Sequence, residues 1–178
     1  MTRENFLEGV NNDTDHRILL WEAIKLTKGK VVEFGSGHGS TPFLREHCKN
    51  KQRVFESYEH NEEWAKQTGA TLITTDWEEV NPTSIHDLYI DHAPGERRQF
   101  DLLKYKDLAK IIVIHDSEPT GAGDYKVRQH FGKFKYCVEV GTNGCWATML
   151  SDTIDITECI GTEWNQYIIF NKDDRGTV

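Results

Sequence analysis

Apolar residues recur along the chain with the periods of helices and strands. In residues 14–27 they fall near one face of a helix, and Gly29 follows where helices commonly end. Five short runs between such segments predict strands. The predicted strands span 30–34, 53–60, 71–76, 85–91 and 111–116, and the predicted helices span 14–27, 41–48, 61–68, 96–109 and 124–131. This alternation is typical of βαβ units, in which helices cover both faces of a parallel sheet.

The pattern changes in the last third of the chain. Residues 134–140 and 145–151 have the pattern of two strands, and Asn143-Gly144 between them is typical of a tight hairpin turn. We therefore predict a Rossmann-like, doubly wound α/β fold. Its mostly parallel, seven-stranded sheet ends in an antiparallel hairpin and carries helices on both faces.

Length and composition fit one globular domain. The chain has 178 residues, of which 37% are hydrophobic and 28% charged. We predict a single domain, 1–178, with an N-terminal helix at 14–28, a core at 30–151 and a C-terminal extension at 152–178, within which 166–170 is a candidate strand and 172–178 a frayed tail. No apolar run reaches the roughly 20 residues of a membrane span, and the N-terminus lacks the apolar core of a signal peptide.

Net charge indicates the class of binding partner, and cysteine spacing indicates the cellular compartment. The net charge is −8 and the basic residues form only short clusters, which disfavours a nucleic-acid substrate and favours a small molecule or a protein. The four cysteines show neither a CxxC pair nor zinc spacing, so we expect reduced thiols in a cytoplasmic protein. The oligomeric state stays open.

An acidic residue stands at or near the end of every predicted parallel strand. In open α/β sheets, ligands bind beyond the carboxyl ends of the strands. Helix capping would explain one or two such acids but not all of them, so we predict a ligand site at this edge. The acids, in chain order, are Glu33, Glu59, Asp76, Asp91 and Asp116.

The first strand runs into a glycine loop, VVEFGSGHGST at 31–41. The dinucleotide fingerprint requires glycine or alanine where Ser40 stands, and the nucleotide triphosphate loop requires a lysine that this segment lacks. The carboxylate of Glu33 would repel a pyrophosphate and would suit a cationic group. An ammonium or sulfonium ligand meets that condition.

The segment E-x-G-x-G-x-G resembles motif I of the class I S-adenosylmethionine-dependent methyltransferases. The resemblance implies that the loop backbone lies against the methionine part of the cofactor, that Glu59 holds both ribose hydroxyls, and that Asp76 and Trp77 meet the adenine. The cofactor-binding residues that it implies are Glu33, Gly35, Ser36, Gly37, Gly39, Ser40, Thr41, Glu59, His60, Asp76, Trp77, Asp91 and His92. The hairpin ending of the sheet is also similar to that family.

Two further segments, DLYIDHAPGER and IVIHDSE, resemble the catechol-type, metal-dependent O-methyltransferases. The resemblance implies a Mg²⁺ site at Asp91 and Asp116, with Glu118 as an additional candidate ligand. Two positions depart from that family. Ser117 stands where an asparagine ligand is expected, and Pro94 stands where the family has its lysine base.

Without that lysine, a histidine is the candidate base. His115 and His92 flank the predicted site, and an ordinary histidine pKa near 6.5 suits removal of a hydroxyl proton at neutral pH. We predict His115, Asp116 and Asp91 as the catalytic residues, with adenine packing as the alternative role of His92. Arg97 and Arg98 are interpreted as a solvated helix face, with guidance of an anionic substrate as the alternative.

These observations predict an S-adenosylmethionine-dependent methyltransferase that acts on a small molecule, on oxygen. Two alternatives stay open. The first is a non-catalytic protein that binds S-adenosylmethionine, and the second is an NAD-linked oxidoreductase, which Ser40 disfavours.

Overall fold

A computed structural model describes residues 16–118, 125–142, 145–160 and 168–171, which are built around one mixed sheet. The α-helices are α1 (His16–Leu26), α2 (Thr41–Asn50), α3 (Glu62–Thr68) and α4 (Arg98–Tyr105), and short 3-10 helices span Gly95–Arg97 and Arg128–Lys133. The strands are β1 (Lys30–Phe34), β2 (Phe55–Glu59), β3 (Leu72–Ile73), β4 (Ile85–Ile90), β5 (Ile111–His115), β6 (Tyr136–Thr142), β7 (Cys145–Ser151) and β8 (Ile168–Asn171).

The order of the strands confirms the predicted fold class. The sheet runs β3-β2-β1-β4-β5-β7-β6-β8, and the first five of these strands are mutually parallel. Strand β7 lies antiparallel between β5 and β6, so the predicted hairpin closes the sheet. An eighth strand, β8, adds an antiparallel edge beside β6. The order reverses between β1 and β4, which is where open α/β sheets bind ligands.

Alternate residues of the central strands face the two layers of helices. Val31 of β1 packs in a core cluster with Leu19 of α1 and Leu44 of α2. The next residue, Val32, packs on the opposite face with Leu102 of α4. Because side chains alternate along a strand, a strand that is apolar throughout buries both faces. Both faces of the sheet are therefore covered, as the doubly wound prediction requires.

Two predicted elements differ from those in the structure. Strand β3 has two residues rather than the six at 71–76, because the chain turns at Thr74, whose hydroxyl donates to the Asp76 carbonyl at 2.8 Å. The helix predicted at 124–131 is wrong in its described part, where a 3-10 helix begins at Arg128. A 3-10 turn aligns residues three apart, and the buried Phe131 and Phe134 have that spacing.

Other predicted boundaries are confirmed. Asn61 caps α3 as predicted, since its Oδ1 accepts the Trp64 N–H at 3.0 Å.

Three predicted features lie outside the described residues: the hairpin turn at 143–144, the tail at 172–178 and the loop at 119–124. Cys48 and Cys159 are free thiols, and Cys137 is buried in the core. Within the described ranges, no helix combines the length and the apolar character needed to cross a membrane.

Candidate functional site

The loop after β1 passes directly over the end of β4, and Gly35 makes this approach possible. Gly35 has a φ of +86°, and a Cβ built on it would lie 2.5 Å from backbone atoms of Asp91 and His92. No side chain fits there, and the left-handed backbone favours glycine. Gly37 differs, because its nearest contact would be the Ser40 Oγ at 3.4 Å. Of these two glycines, Gly35 is thus the one that the packing demands.

Glu33 holds the glycine loop from below. Its fully buried carboxyl accepts hydrogen bonds from the hydroxyls of Ser40 at 2.6 Å, Thr41 at 2.8 Å and Ser57 at 2.5 Å. Burial raises the pKa of Glu33 to about 7, although the hydroxyl donors oppose that shift. The expected contact with a cationic ligand stays a prediction, and the carboxyl has a structural role in joining the loop to β2.

Glu59, at the end of β2, is held by backbone donors. Its Oε1 accepts the N–H groups of His60 at 2.9 Å and Asn61 at 3.0 Å. Its Oε2 accepts the Ser36 N–H at 3.0 Å and the Ser36 hydroxyl at 3.2 Å. The Ser36 hydroxyl also lies 2.7 Å from the Thr68 hydroxyl. The carboxylate is therefore fixed in place, and Ser36 has a second partner available.

A cleft of about 230 Å³ opens beside Glu59. Its lining residues are Ser36, Glu59, His60, Asn61, Trp64, Asp91, His92 and Ala93. Five of the predicted cofactor-binding residues therefore meet around one cavity. The other predicted residues lie outside its lining; these are Glu33, Gly35, Gly37, Gly39, Ser40, Thr41, Asp76 and Trp77.

His92 is packed between aromatic rings at the floor of this cleft. Only 1% of it is exposed, its Nε2 lies 2.7 Å from Asp101 Oδ2, and its ring stacks on Trp77 at a centroid distance of 4.4 Å. Trp77 is itself anchored by its Nε1, which donates to the Ala93 carbonyl at 3.0 Å. Asp76 is exposed, and its Oδ1 accepts the Glu78 N–H at 2.8 Å. These contacts favour packing rather than catalysis for His92.

Beyond Asp91 lies a charged group that we name the carboxylate cluster: Asp91, His115, Asp116 and Arg98. The Nδ1 of His115 is 3.2 Å from Asp91 Oδ1 and 3.3 Å from Asp116 Oδ1. Asp116 has a φ of +51°, a strained conformation for a residue that is not glycine. The three predicted catalytic residues therefore lie in contact, at the ends of β4 and β5.

Arg98 joins both carboxylates of the cluster, so its interpretation as a solvated residue is wrong. Its guanidinium lies 3.1 Å from Asp91 Oδ1 and 2.8 Å from Asp116 Oδ2, and only 5% of the residue is exposed. The sequence held a signal for this, because Arg98 shares the buried stripe of α4 with Leu102 and Tyr105, at helical spacing.

Charges around Asp91 decide its protonation. Burial alone would raise the pKa of Asp91, but His115 and Arg98 outweigh burial and hold that pKa well below its usual range. The Tyr89 hydroxyl donates to Asp91 Oδ2 at 3.1 Å. Asp91 is therefore an anion at neutral pH, and it orients His115.

His16, which the sequence analysis missed, lies behind the cluster. Its ring stacks on Tyr89 at 5.3 Å and meets the His115 ring edge-on at 4.6 Å. Burial, with His115 beside it, lowers the pKa of His16 to about 3, so this ring is neutral at neutral pH. The available signal was its position on the buried stripe of α1, three and four residues before Leu19 and Leu20.

The carboxylate cluster contains both acids of the predicted Mg²⁺ site, Asp91 and Asp116. Asp91, His115 and Asp116 each offer a ligand atom within 4.8 Å of the others. One of the three atoms is nitrogen, whereas Mg²⁺ takes oxygen ligands. The Ser117 hydroxyl lies 2.7 Å from the Thr148 hydroxyl, and Arg98 already pairs with both carboxylates. These residues do not fit a Mg²⁺ ion.

Comparison with known proteins gives a structural result. No protein-family model matches the chain, and no curated protein sequence matches it. An S-adenosylmethionine-dependent O-methyltransferase from Thermotoga maritima superposes with a TM-score of 0.60 at 13% identity, over 82% of this chain and 67% of that one. The methyltransferase domain of METTL16 gives 0.55 at 12%, over 82% and 70%.

A spermidine synthase from Thermotoga maritima gives 0.56 at 21% identity, over 84% of this chain and 63% of that one. The chain has the fold of the class I S-adenosylmethionine-dependent methyltransferases. This structural similarity confirms the predicted fold, with the seven core strands in the order 3-2-1-4-5-7-6. At these identities it extends to the fold alone.

Proposed function

We propose that this chain transfers a methyl group from S-adenosylmethionine to an oxygen atom of a small molecule. One observation carries the proposal: Asp91 lines the cleft and also contacts His115, so a base stands next to the cofactor cleft. The fold supports the cofactor class, and the acceptor and the methylated atom are inferred from the cluster.

The cleft residues fit the ribose end of the cofactor. A carboxylate offers about four lone-pair directions, and the donors around Glu59 occupy them. The Ser36 hydroxyl can turn to Thr68, which lies 2.7 Å away, and that rotation frees one Glu59 lone pair for a ribose hydroxyl. Three backbone donors keep the carboxylate oriented during this exchange. Asp76 and Trp77 remain candidates for the adenine.

His115 supplies proton removal in this proposal. Its Nδ1–H donates toward the carboxylates of Asp91 and Asp116, and this tautomer, inferred from the network, puts the lone pair on Nε2. Nε2 is buried in this structure, so an acceptor reaches it only when neighbouring side chains move. The two carboxylates stabilise the positive ring that forms when Nε2 takes a proton. S-adenosylmethionine supplies the methyl group as a sulfonium. The chain orients the acceptor and receives its proton, and such positioning accounts for much of the rate.

The test is formation of S-adenosylhomocysteine, followed by mass spectrometry across a panel of phenols, catechols and aliphatic alcohols. His115→Asn is expected to lower the rate on the best acceptor by about 10²–10⁴-fold, because the general base is lost. Affinity for S-adenosylmethionine should change by less than about threefold. His130→Asn is the matched control, since His130 lies in the 3-10 helix before β6.

Two outcomes would contradict the proposal. If the protein binds S-adenosylmethionine but no acceptor class yields product, the non-catalytic alternative is favoured. If His115→Asn retains the rate of the His130→Asn control, then proton removal by His115 is wrong even where methyl transfer occurs.

A further inference from the structure

We propose that Arg98 is the resident cation of the carboxylate cluster, so that this site works without a divalent metal ion and needs only one hydroxyl on its acceptor. The inference rests on the proposed function for the identity of the acceptor, but not for the role of Arg98. It runs against the metal site that the resemblance implies.

All four carboxylate oxygens of the cluster already have partners. Asp91 Oδ1 faces Arg98 and His115, and Asp91 Oδ2 accepts from Tyr89. Asp116 Oδ2 pairs with Arg98, and Asp116 Oδ1 faces His115. A metal ion that bound these oxygens would have to displace a guanidinium, an imidazole or both.

Arg98 is fixed where it stands. Its Nε and Nη atoms donate to three backbone carbonyls, those of His92 at 2.9 Å, His115 at 3.0 Å and Asp91 at 3.1 Å. The Tyr125 ring covers the guanidinium, with its centroid 4.8 Å from Cζ. If Arg98 swung away, these buried carbonyls would lose their donors, and unsatisfied buried acceptors are costly.

The position of Arg98 also opposes a dication electrostatically. A metal ion held by Asp91 and Asp116 would lie within a few ångströms of a guanidinium that touches both carboxylates. Like charges at such distances repel strongly, and more so where water is excluded. The guanidinium therefore does what a metal would do for charge balance, and it prevents a metal from binding.

A site without a metal ion suits a different acceptor from a metal-dependent one. Metal-assisted transfer suits a substrate with two adjacent oxygens, because both can bind one ion. With Arg98 in that place, activation depends on His115 alone. General-base catalysis by a histidine requires one hydroxyl within its reach and no second oxygen. The acceptor therefore needs a single hydroxyl, and a vicinal diol gives no advantage.

The test is titration with Co²⁺, followed by visible absorption and calorimetry, on the wild type and on three variants. Wild type is expected to show no Co²⁺ site of affinity better than about 1 mM that depends on the cluster. Arg98→Met should gain such a site, with affinity at least about tenfold tighter, because both carboxylates and His115 are released. Arg97→Met is the matched control, since Arg97 pairs with Asp101 and Glu78 instead.

Asp116→Asn in the wild-type background identifies where any bound metal lies. Wild-type binding that Asp116→Asn abolishes would overturn the proposal, whereas binding that survives it lies elsewhere and leaves the proposal standing. If Arg98→Met does not fold, the wild-type and Asp116→Asn titrations still decide. Equal product formation from a phenol and a matched catechol in the presence of EDTA supports the acceptor class, and an absolute requirement for the catechol contradicts it. A failure to bind S-adenosylmethionine would instead refute the proposed function.

Discussion

Two halves of the same sheet edge stabilise carboxylates in opposite ways. In the β1–β2 half, Glu33 and Glu59 accept hydrogen bonds mainly from neutral hydroxyls and backbone N–H groups. In the β4–β5 half, Asp91 and Asp116 face a guanidinium and an imidazole. Both halves satisfy these acids, but the second half adds the permanent positive charge of the Arg98 guanidinium.

The difference shows in the pKa values of Glu33 and Asp91. Burial raises the pKa of Glu33 to about 7, whereas His115 and Arg98 hold the pKa of Asp91 well below its usual range. Hydroxyl donors cannot repay the full cost of burying a negative charge, and a neighbouring cation can. The first half is therefore suited to holding the glycine loop against β2. The second is suited to proton transfer.

The largest expected effect on stability comes from Gly35, where the loop after β1 packs against the end of β4. Gly35→Ala should lower the free energy of unfolding by about 4 kcal/mol, since it combines a strained φ of +86° with a backbone clash at 2.5 Å. Gly37→Ala, two residues away, should cost less than about 1 kcal/mol. Urea unfolding of both variants measures the contrast. Equal losses would contradict the view that, of these two glycines, only Gly35 is required by packing.

A second prediction uses the pH dependence of stability. An ordinary glutamate titrates at 4.5, and folded Glu33 at about 7, so between these values the folded state holds a proton that the unfolded state has lost. The free energy of unfolding contributed by Glu33 therefore falls as pH rises from about 4.5 to 7, by about 3 kcal/mol. Glu33→Gln should flatten this slope. Glu56→Gln, on the neighbouring strand β2, is the control and should leave this slope unchanged.

Asp91 should show the opposite sign. Its folded pKa lies below the ordinary value of 3.8, so its stabilising contribution is present above about pH 4 and is lost as pH falls further. Asp91→Asn should therefore reduce the loss of stability in acid. If Glu33→Gln and Asp91→Asn changed the pH profile in the same direction, the comparison between the two halves would be wrong.

The smallest expected effect is on the affinity for S-adenosylmethionine, at Asp76. Asp76→Ala should weaken binding of S-adenosylmethionine by only about threefold, because the residue is exposed and its carboxylate already accepts the Glu78 N–H. Isothermal titration measures the change. A loss of a hundredfold or more would mean that Asp76 moves to become a principal cofactor contact.

Much of the fold could be predicted because its signals are local. Strand β1 has the predicted bounds, and the hairpin followed from two short apolar runs around a turn. The strand-end rule also brought Glu59 and Asp91 to one cleft. These predictions required only the period of the side chains and the direction of parallel strands.

The rest of the site depended on pairings that periodicity does not encode. A polar residue on a buried stripe has no preferred partner until the tertiary structure supplies one. For this reason the interpretation of Arg98 was wrong and His16 was missed. The role of Glu33 was also hidden, because the Ser57 hydroxyl that binds it comes from a neighbouring strand. Such contacts join residues that are distant in sequence.

The most direct test of the central claim, that the cleft beside Glu59 binds S-adenosylmethionine, is a calorimetric titration of wild type, Glu59→Ala and Glu56→Ala with this cofactor. Wild type and Glu56→Ala should bind one equivalent with similar affinity, and circular dichroism should confirm that all three proteins are folded. Glu59→Ala should bind at least about tenfold more weakly, because a charged hydrogen-bond acceptor is lost. Wild-type affinity in folded Glu59→Ala, or no binding by wild type, would contradict the claim.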